Sequence, residues 1–206
     1  DVENRLVGII TVDDIVDIIE QENTEDFQKM AAMEPSEQPY LKTPVLTLAK
    51  NRIVWLLVLM ISATVTGSII QGFEDVLQSV VILASFIPML MDTGGNSGSQ
   101  SSTLVIRGLA LGEITTKDFF KVIFKEFRVS IVVATILSVV NFLRLYFFTS
   151  ADFMISLTVC ASLFFTVVLA KVVGGVLPIV SKKLKLDPAI MASPLITTIV
   201  DAFALV

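Results

Sequence analysis

The chain has 206 residues, 54% of them apolar and 17% charged, with a formal net charge of −5. Its mean hydropathy of +0.81 and several long apolar runs place it among integral membrane proteins. One cysteine and no histidine exclude a disulfide framework, a Cys/His metal site and any histidine-based triad, so an ion or substrate must be met by oxygen and amide ligands.

Residues 1 to 50 hold eleven of the twenty acids and four of the fifteen bases, an acidic head before an apolar body. LVGII at 6 to 10 has the character of a short strand, and Thr11 with Asp14 three positions on opens a helix with a capping-box start. In that helix Val12, Ile15, Val16, Ile18 and Ile19 form one face, while Asp13, Asp14, Asp17, Glu20 and Glu22 face outward. A strand and helix of this size cannot bury themselves alone, so residues 1–22 are expected to be the tail of a cytoplasmic α/β domain whose upstream part belongs to the same polypeptide. No apolar stretch flanked by bases marks a secretory signal here, and the first apolar helix is expected to serve as its own insertion signal.

Residues 23–50 read as a connecting segment. Asn23 or Thr24 is expected to cap a second short helix through Glu25, Asp26, Phe27, Lys29 and Met30, ending before Pro35. Pro35, Pro39 and Pro44 then space an extended stretch, with Thr43 and Pro44 as cap and first position of the next helix.

Residues 51–206 are expected to form five transmembrane helices. Ile53 to Ile70 is uncharged and gives about 27 Å of helix. After the turn Gly72-Phe73-Glu74-Asp75, a second run from Val76 to Met91 is interrupted by Pro88 and passes into MDTGGNSGSQSST, residues 91–103. That stretch is almost wholly small or polar, and lipid offers such groups no partners, so protein or water must line it. On a helix, Asn96, Gln100 and Thr103 share a face, and Gly94 and Gly98 form a small-xxx-small contact. Val129 to Phe148 is the third span, Phe153 to Val180 the fourth and Ala189 to Val206 the fifth.

With the amino end cytoplasmic, Lys50, Arg52, Arg107, Lys117, Lys121, Lys125, Arg128, Lys182, Lys183 and Lys185 all fall inside, and the outer turns hold Glu74, Asp75 and Asp152 without a base. Arg144 alone stands near the outer boundary. Lys171, within the fourth span, is expected to snorkel to the inner interface. Thr115 or Thr116 is expected to cap an amphipathic interfacial helix in which Lys117, Lys121, Lys125 and Arg128 alternate with phenylalanines; its bases read first as topology signals.

The fifth span carries the sharpest chemistry. Ser193, Thr197 and Asp201 recur every four residues on one face. A carboxylate inside a span is expensive unless it meets a cation, water or a polar partner. A structural hydrogen bond to the Asn96 and Gln100 helix is the plain alternative. Mg²⁺, which keeps its waters and takes one or two carboxylates, suits such an all-oxygen site.

The motifs GFED (72–75), PMLMDTGGNSGSQSSTLVIRGLALGEI (88–114) and LDPAIMASPLITTIVD (186–201) resemble the MgtE family of magnesium channels over the whole chain. The resemblance implies an all-α homodimer in the cell membrane, five transmembrane helices per subunit, with a central pore. There the aspartate matching Asp201 holds hydrated Mg²⁺ at the two-fold axis, with Ser193 and Thr197 on the same wall. It makes residues 5 to 20 the end of a second CBS domain and the next stretch a plug helix. Positions matching Asp14, Asp17, Glu22, Glu25 and Asp26 would bind cytosolic Mg²⁺, screening the acids and holding the gate shut. The glycine-rich stretch then becomes scaffold: Gly94 and Gly98 let helices approach, Asn96 and Gln100 tie the pore helix, and Asp92 belongs either to that scaffold or to the permeation path.

Two other classes fit these residues less well. Gly95-Asn96-Ser97-Gly98 matches the G-x-S-G of rhomboid-like proteases, but no histidine base exists; an aspartyl protease would have only Asp92 to pair with Asp201. An ion-coupled secondary transporter of another divalent cation would be supported by an inverted repeat, and none is evident. Neither an enzyme nor a nucleic-acid partner is expected.

Overall fold

The computed structural model describes residues 8–36, 38–149, 152–191 and 193–204. Among them every regular element is helical: α1 (Val12–Met30), α2 (Val45–Gly72), α3 (Glu74–Ser79), α4 (Ile87–Ala110), α5 (Phe119–Phe148), α6 (Phe153–Lys183) and α7 (Ser193–Ala204). Short 3₁₀ turns at Val81–Phe86, Thr116–Asp118 and Pro188–Met191 lead into α4, α5 and α7.

The Thr11 cap forms as the sequence predicts. The Asp14 carboxylate accepts from the Thr11 N–H at 2.8 Å and from its hydroxyl at 2.6 Å, closing a capping box. The apolar face expected on α1 is present and exposed, from Val12 to Ile19. Two expectations are corrected here. Residues 8–10 carry no regular structure, since a strand without a neighbour has no ladder to join; residues 6 and 7 of the expected strand lie outside the described residues. The two short helices are one: α1 continues through Asn23 and Thr24 to Met30, because no glycine or proline interrupts it and unbroken helix propagation needs no second nucleus.

Similar reasoning relocates the start of α2. Pro44, with extended backbone (φ −59°, ψ 143°), is its N-cap, and the hydroxyl of buried Thr43 instead donates to the Pro39 carbonyl at 3.0 Å. Pro88 does not interrupt a span either. The chain breaks at Val80 (φ −137°, ψ 71°), and Pro88 sits in the first turn of α4, where its missing N–H costs nothing. From there α4 runs unbroken through the whole glycine-rich stretch. At the other side of Gly112, whose positive φ of 73° makes the turn, the Thr115–Asp118 capping box starts the next helix, and the interfacial segment and third span prove to be one helix, α5.

By length and composition α2, the stretch Thr116–Phe148 and α6 are able to cross a membrane. The remaining long helix, α4, does not meet that standard because of its polar residues, and α7 as described has 12 residues, fewer than a span needs.

At the centre of the bundle stands α6, against α4, α5 and α7. Leu90, Ala134, Leu163 and Val167 fill one layer of core, and Ala170, Ile196 and Val200 another. Closest approach occurs where α4 crosses α6: a Cβ on Gly174 would stand 2.2 Å from the Gly98 carbonyl oxygen, so the two helices touch backbone to backbone. Gly67, in contrast, faces open space.

Gly174→Ala should therefore destabilise the bundle by about 2 kcal/mol or more, since backbone rather than a flexible side chain must move, while Gly67→Ala should lie within about 0.5 kcal/mol of the parent. Unfolding of the two variants in detergent is the check; equal stabilities would contradict the backbone contact.

Candidate functional site

The polar stretch remains helical because its small residues form the packed face. A Cβ on Gly94 would meet Val200 Cγ1 at 2.7 Å, one on Gly95 would meet Thr197 Cγ2 at 2.7 Å, and one on Gly98 would meet Ile196 Cγ2 at 2.6 Å. Rising positions on α4 thus meet falling positions on α7, so the helices run antiparallel. Continuing that register by one step sets Asp92 level with Asp201, near enough for their charges to interact.

Asp92, Asn96, Gln100, Thr103 and Arg107 line the opposite, exposed face of α4. Their spacing of four, four, three and four makes a continuous polar stripe. Asn96 Nδ2 donates to Asp92 Oδ1 at 3.1 Å, holding that carboxylate along the stripe. Asp201 is half-buried. Thr197 and Thr198 both donate to the Pro194 carbonyl, at 2.9 and 3.0 Å, so their hydroxyl protons are spent on their own helix. Ser193 opens α7, but its side chain lies outside the described residues.

Within this chain, Asn96 and Gln100 do not tie α7 in place. They lie on the exposed side, and the three glycines make the α4–α7 contact instead, because only residues without a Cβ let the helices come this close.

Behind the stripe lies a charged interior that the sequence reading missed. Lys171 is 5% exposed and its Nζ donates to the Ser97 carbonyl at 3.5 Å; it does not snorkel, because its position on α6 points between helices rather than along them. The Ser101 hydroxyl donates to Glu126 Oε2 at 2.6 Å. Glu126 belongs to the buried face of α5, four residues after Val122 and four before Ser130, a spacing that could have revealed it. At the end of α4, Lys182 donates to the Leu109 carbonyl at 3.0 Å, where cations are favoured.

The acids of α1 separate into three settings. Asp14 is committed to its cap, and Thr11 holds its carboxyl below the ordinary range through the hydroxyl first and the N–H second. Asp17, Glu22 and Glu25 line one open cleft with Glu20, Thr24 and Ser36. Asp26 turns instead toward the connector before α7: burial and then the Asp187 carboxylate push its carboxyl above the usual value. Lys29 bridges Glu25 and Asp187, donating to Asp187 Oδ2 at 2.5 Å, and those two partners raise its ammonium well above the ordinary range. Asp187, which also accepts from the Ala189 N–H at 2.9 Å, is thus the contact between α1 and the start of the α7 segment.

A family model described as a divalent cation transporter, MgtE, matches residues 87–206. The chain belongs to the MgtE family. It is 38% identical over 205 residues to the magnesium transporter MgtE of Thermus thermophilus, covering 100% of this chain and 45% of that protein. Over 202 residues it is 40% identical to the magnesium transporter MgtE of Bacillus subtilis, covering 98% and 44%. The MgtE protein of Enterococcus faecalis is 29% identical over 204 residues. The chain therefore spans less than half the length of these curated relatives. The family is one of transport proteins and not of enzymes, and the long apolar helices of this chain are those of a multi-pass membrane protein.

Lys29→Met should leave Asp26 and Asp187 facing each other without a cation and release the end of α1. Cleavage of the 31–44 connector by protease should then accelerate about three- to fivefold, the scale of a half-exposed ion pair. Because the Asp26 carboxyl is raised, its contribution to docking is present at acid pH and lost as pH rises through that raised value. Asp26→Asn should abolish this slope, and an unchanged pH profile would contradict the repulsion between Asp26 and Asp187.

Proposed function

We propose that the chain forms the membrane part of a passive Mg²⁺ pathway, with Asp201 as its cation site. The observation that carries this reading is the level pairing of Asp201 with Asp92 beside an uninterrupted polar stripe on α4. In a chain of membrane helices, two like charges with no cation between them are costly, and a stripe of amides and hydroxyls must face water or protein. A hydrated divalent cation meets both demands: it offsets the two charges, and its retained waters donate to amide and carboxylate oxygens without requiring a dense cage. The magnesium-transporter names of the relatives support the choice of ion.

In this reading the body crosses the membrane five times: α2, the segment 74–110, α5, α6 and the α7 segment, with the amino end in the cytoplasm and the protein in the cell membrane. The exposed stripe meets a second copy of the chain, giving a homodimeric pore in which two Asp201 carboxylates share one ion. Thr197 and Ser193 lie on the wall below it. Gly94 and Gly98 hold the wall together, and Asn96, Gln100 and Asp92 face the path. Residues 1–22 end a CBS-like domain and 23–50 form the plug and linker. Cytosolic Mg²⁺ at Asp17, Glu22 and Glu25, with Asp14 and Asp26 contributing to the same acidic field, screens α1 and favours its docked position at Asp187, closing the path.

Mg²⁺ uptake into proteoliposomes tests the pathway. Asp201→Asn should lower flux at least about tenfold, as expected for losing a charged ligand worth 1.4 kcal/mol or more; undiminished flux would reject Asp201 as the site. In the longer parent protein, millimolar Mg²⁺ should protect residues 11–50 from protease, and indifference to Mg²⁺ would remove the sensing role.

A further inference from the structure

Three helices enclose a charge arrangement on the side of α4 turned away from the stripe. On α4, Ser97 and Ser101 are one helical turn apart; the first presents its carbonyl to Lys171 at 3.5 Å and the second its hydroxyl to Glu126 at 2.6 Å. On α6, Lys171 and Gly175 are likewise one turn apart, and a Cβ on Gly175 would stand 2.8 Å from Glu126 Cγ. Gly175 is thus the gap that admits the carboxylate between α5 and α6. The two charges interact through space without touching, each held by a different turn of α4.

Among the described residues the buried Lys171 ammonium has one long hydrogen bond, so it is poorly solvated and an unbalanced charge there is costly. Glu126 supplies that compensation, and both groups lie roughly one helix diameter, about 10–12 Å, behind the exposed face of α4. A charge at that distance in a medium of low dielectric is felt at the face.

We propose that Lys171 and Glu126 are positioning residues for transport: a balanced charge pair that keeps the potential along the Asp92–Asn96–Gln100 stripe favourable to a divalent cation. The proposal rests on the pathway reading above. It differs from a packing role in the sign of its effects. Removing the acid alone leaves a positive charge behind the stripe, which repels the ion. Removing the base alone leaves a negative charge, which attracts it.

Half-saturation for Mg²⁺ flux, measured in proteoliposomes of the full-length protein, separates these outcomes. Glu126→Gln should raise it about three- to tenfold, the scale of one charge acting across a helix. Lys171→Met should lower it, and the double variant Lys171→Met/Glu126→Gln should return within about twofold of the parent. Ser101→Ala, which loosens Glu126 while keeping both charges, should also stay within about twofold. Should a single variant fail to fold, the remaining single, the double and Ser101→Ala carry the test. Shifts of the same sign in both singles, or a Lys171→Met shift that the double does not reverse, would overturn the proposal, as would unchanged half-saturation in the folded variants. A parallel Asp201→Asn arm separates the readings: undiminished flux there rejects the pathway, whereas failed charge signs with lost Asp201→Asn flux reject only this pair.

Discussion

The structure depends on what a lipid environment withholds. It offers no hydrogen bonds, so a helix as polar as α4 is tolerated only if each side of it meets something other than lipid. Glycine solves this on one side. Gly98 stands against Gly174 so closely that no Cβ fits, and Gly94 and Gly95 do the same toward α7. Van der Waals packing and short polar contacts replace the hydrophobic drive that soluble helices would have used. The other side is left bare, with Asp92, Asn96, Gln100 and Thr103 in a row. Packing and polarity thus belong to opposite faces of one helix.

The same division explains the buried charges. Once α4 is pressed onto α6, Lys171 is buried between them, and a charge there needs a counterpart. Lys171 and Glu126 come from different helices and meet different turns of α4, so they compensate each other without forming a direct contact. This leaves their field less localised than that of a tight ion pair.

Much of the fold was readable because it rests on local rules. The apolar runs located α2, α5 and α6; the capping pattern at Thr11 located a helix start to the residue, and the one at Thr115 or Thr116 to within one position. Asp201 and the glycine spacing were legible for the same reason, as periodicities on a single helix. What escaped were relations between helices. Pro88 looked like a break until its place in the first turn of α4 was known, since proline signals a boundary without telling which side continues. Lys171 looked like an interfacial lysine because its stem length permits snorkelling, and only the packing of α6 shows it enclosed. Asp187 and its partner Lys29 lie 158 positions apart in sequence; no local pattern encodes such a pair.

One further consequence lies in α2. It is a rod of about 42 Å at 1.5 Å per residue, with Thr66 as its buried residue and α7 as its main neighbour. At its amino end the Asn51 carbonyl accepts from the Glu34 N–H at 2.8 Å, linking it to the segment that leaves α1. A rod fastened chiefly near one end acts as a lever arm: a five-degree tilt at the α7 contact sweeps its far end by about 4 Å. Small adjustments beside α7 are therefore magnified at the segment that leaves α1, and displacement of that segment is geared down into fine motion beside α7.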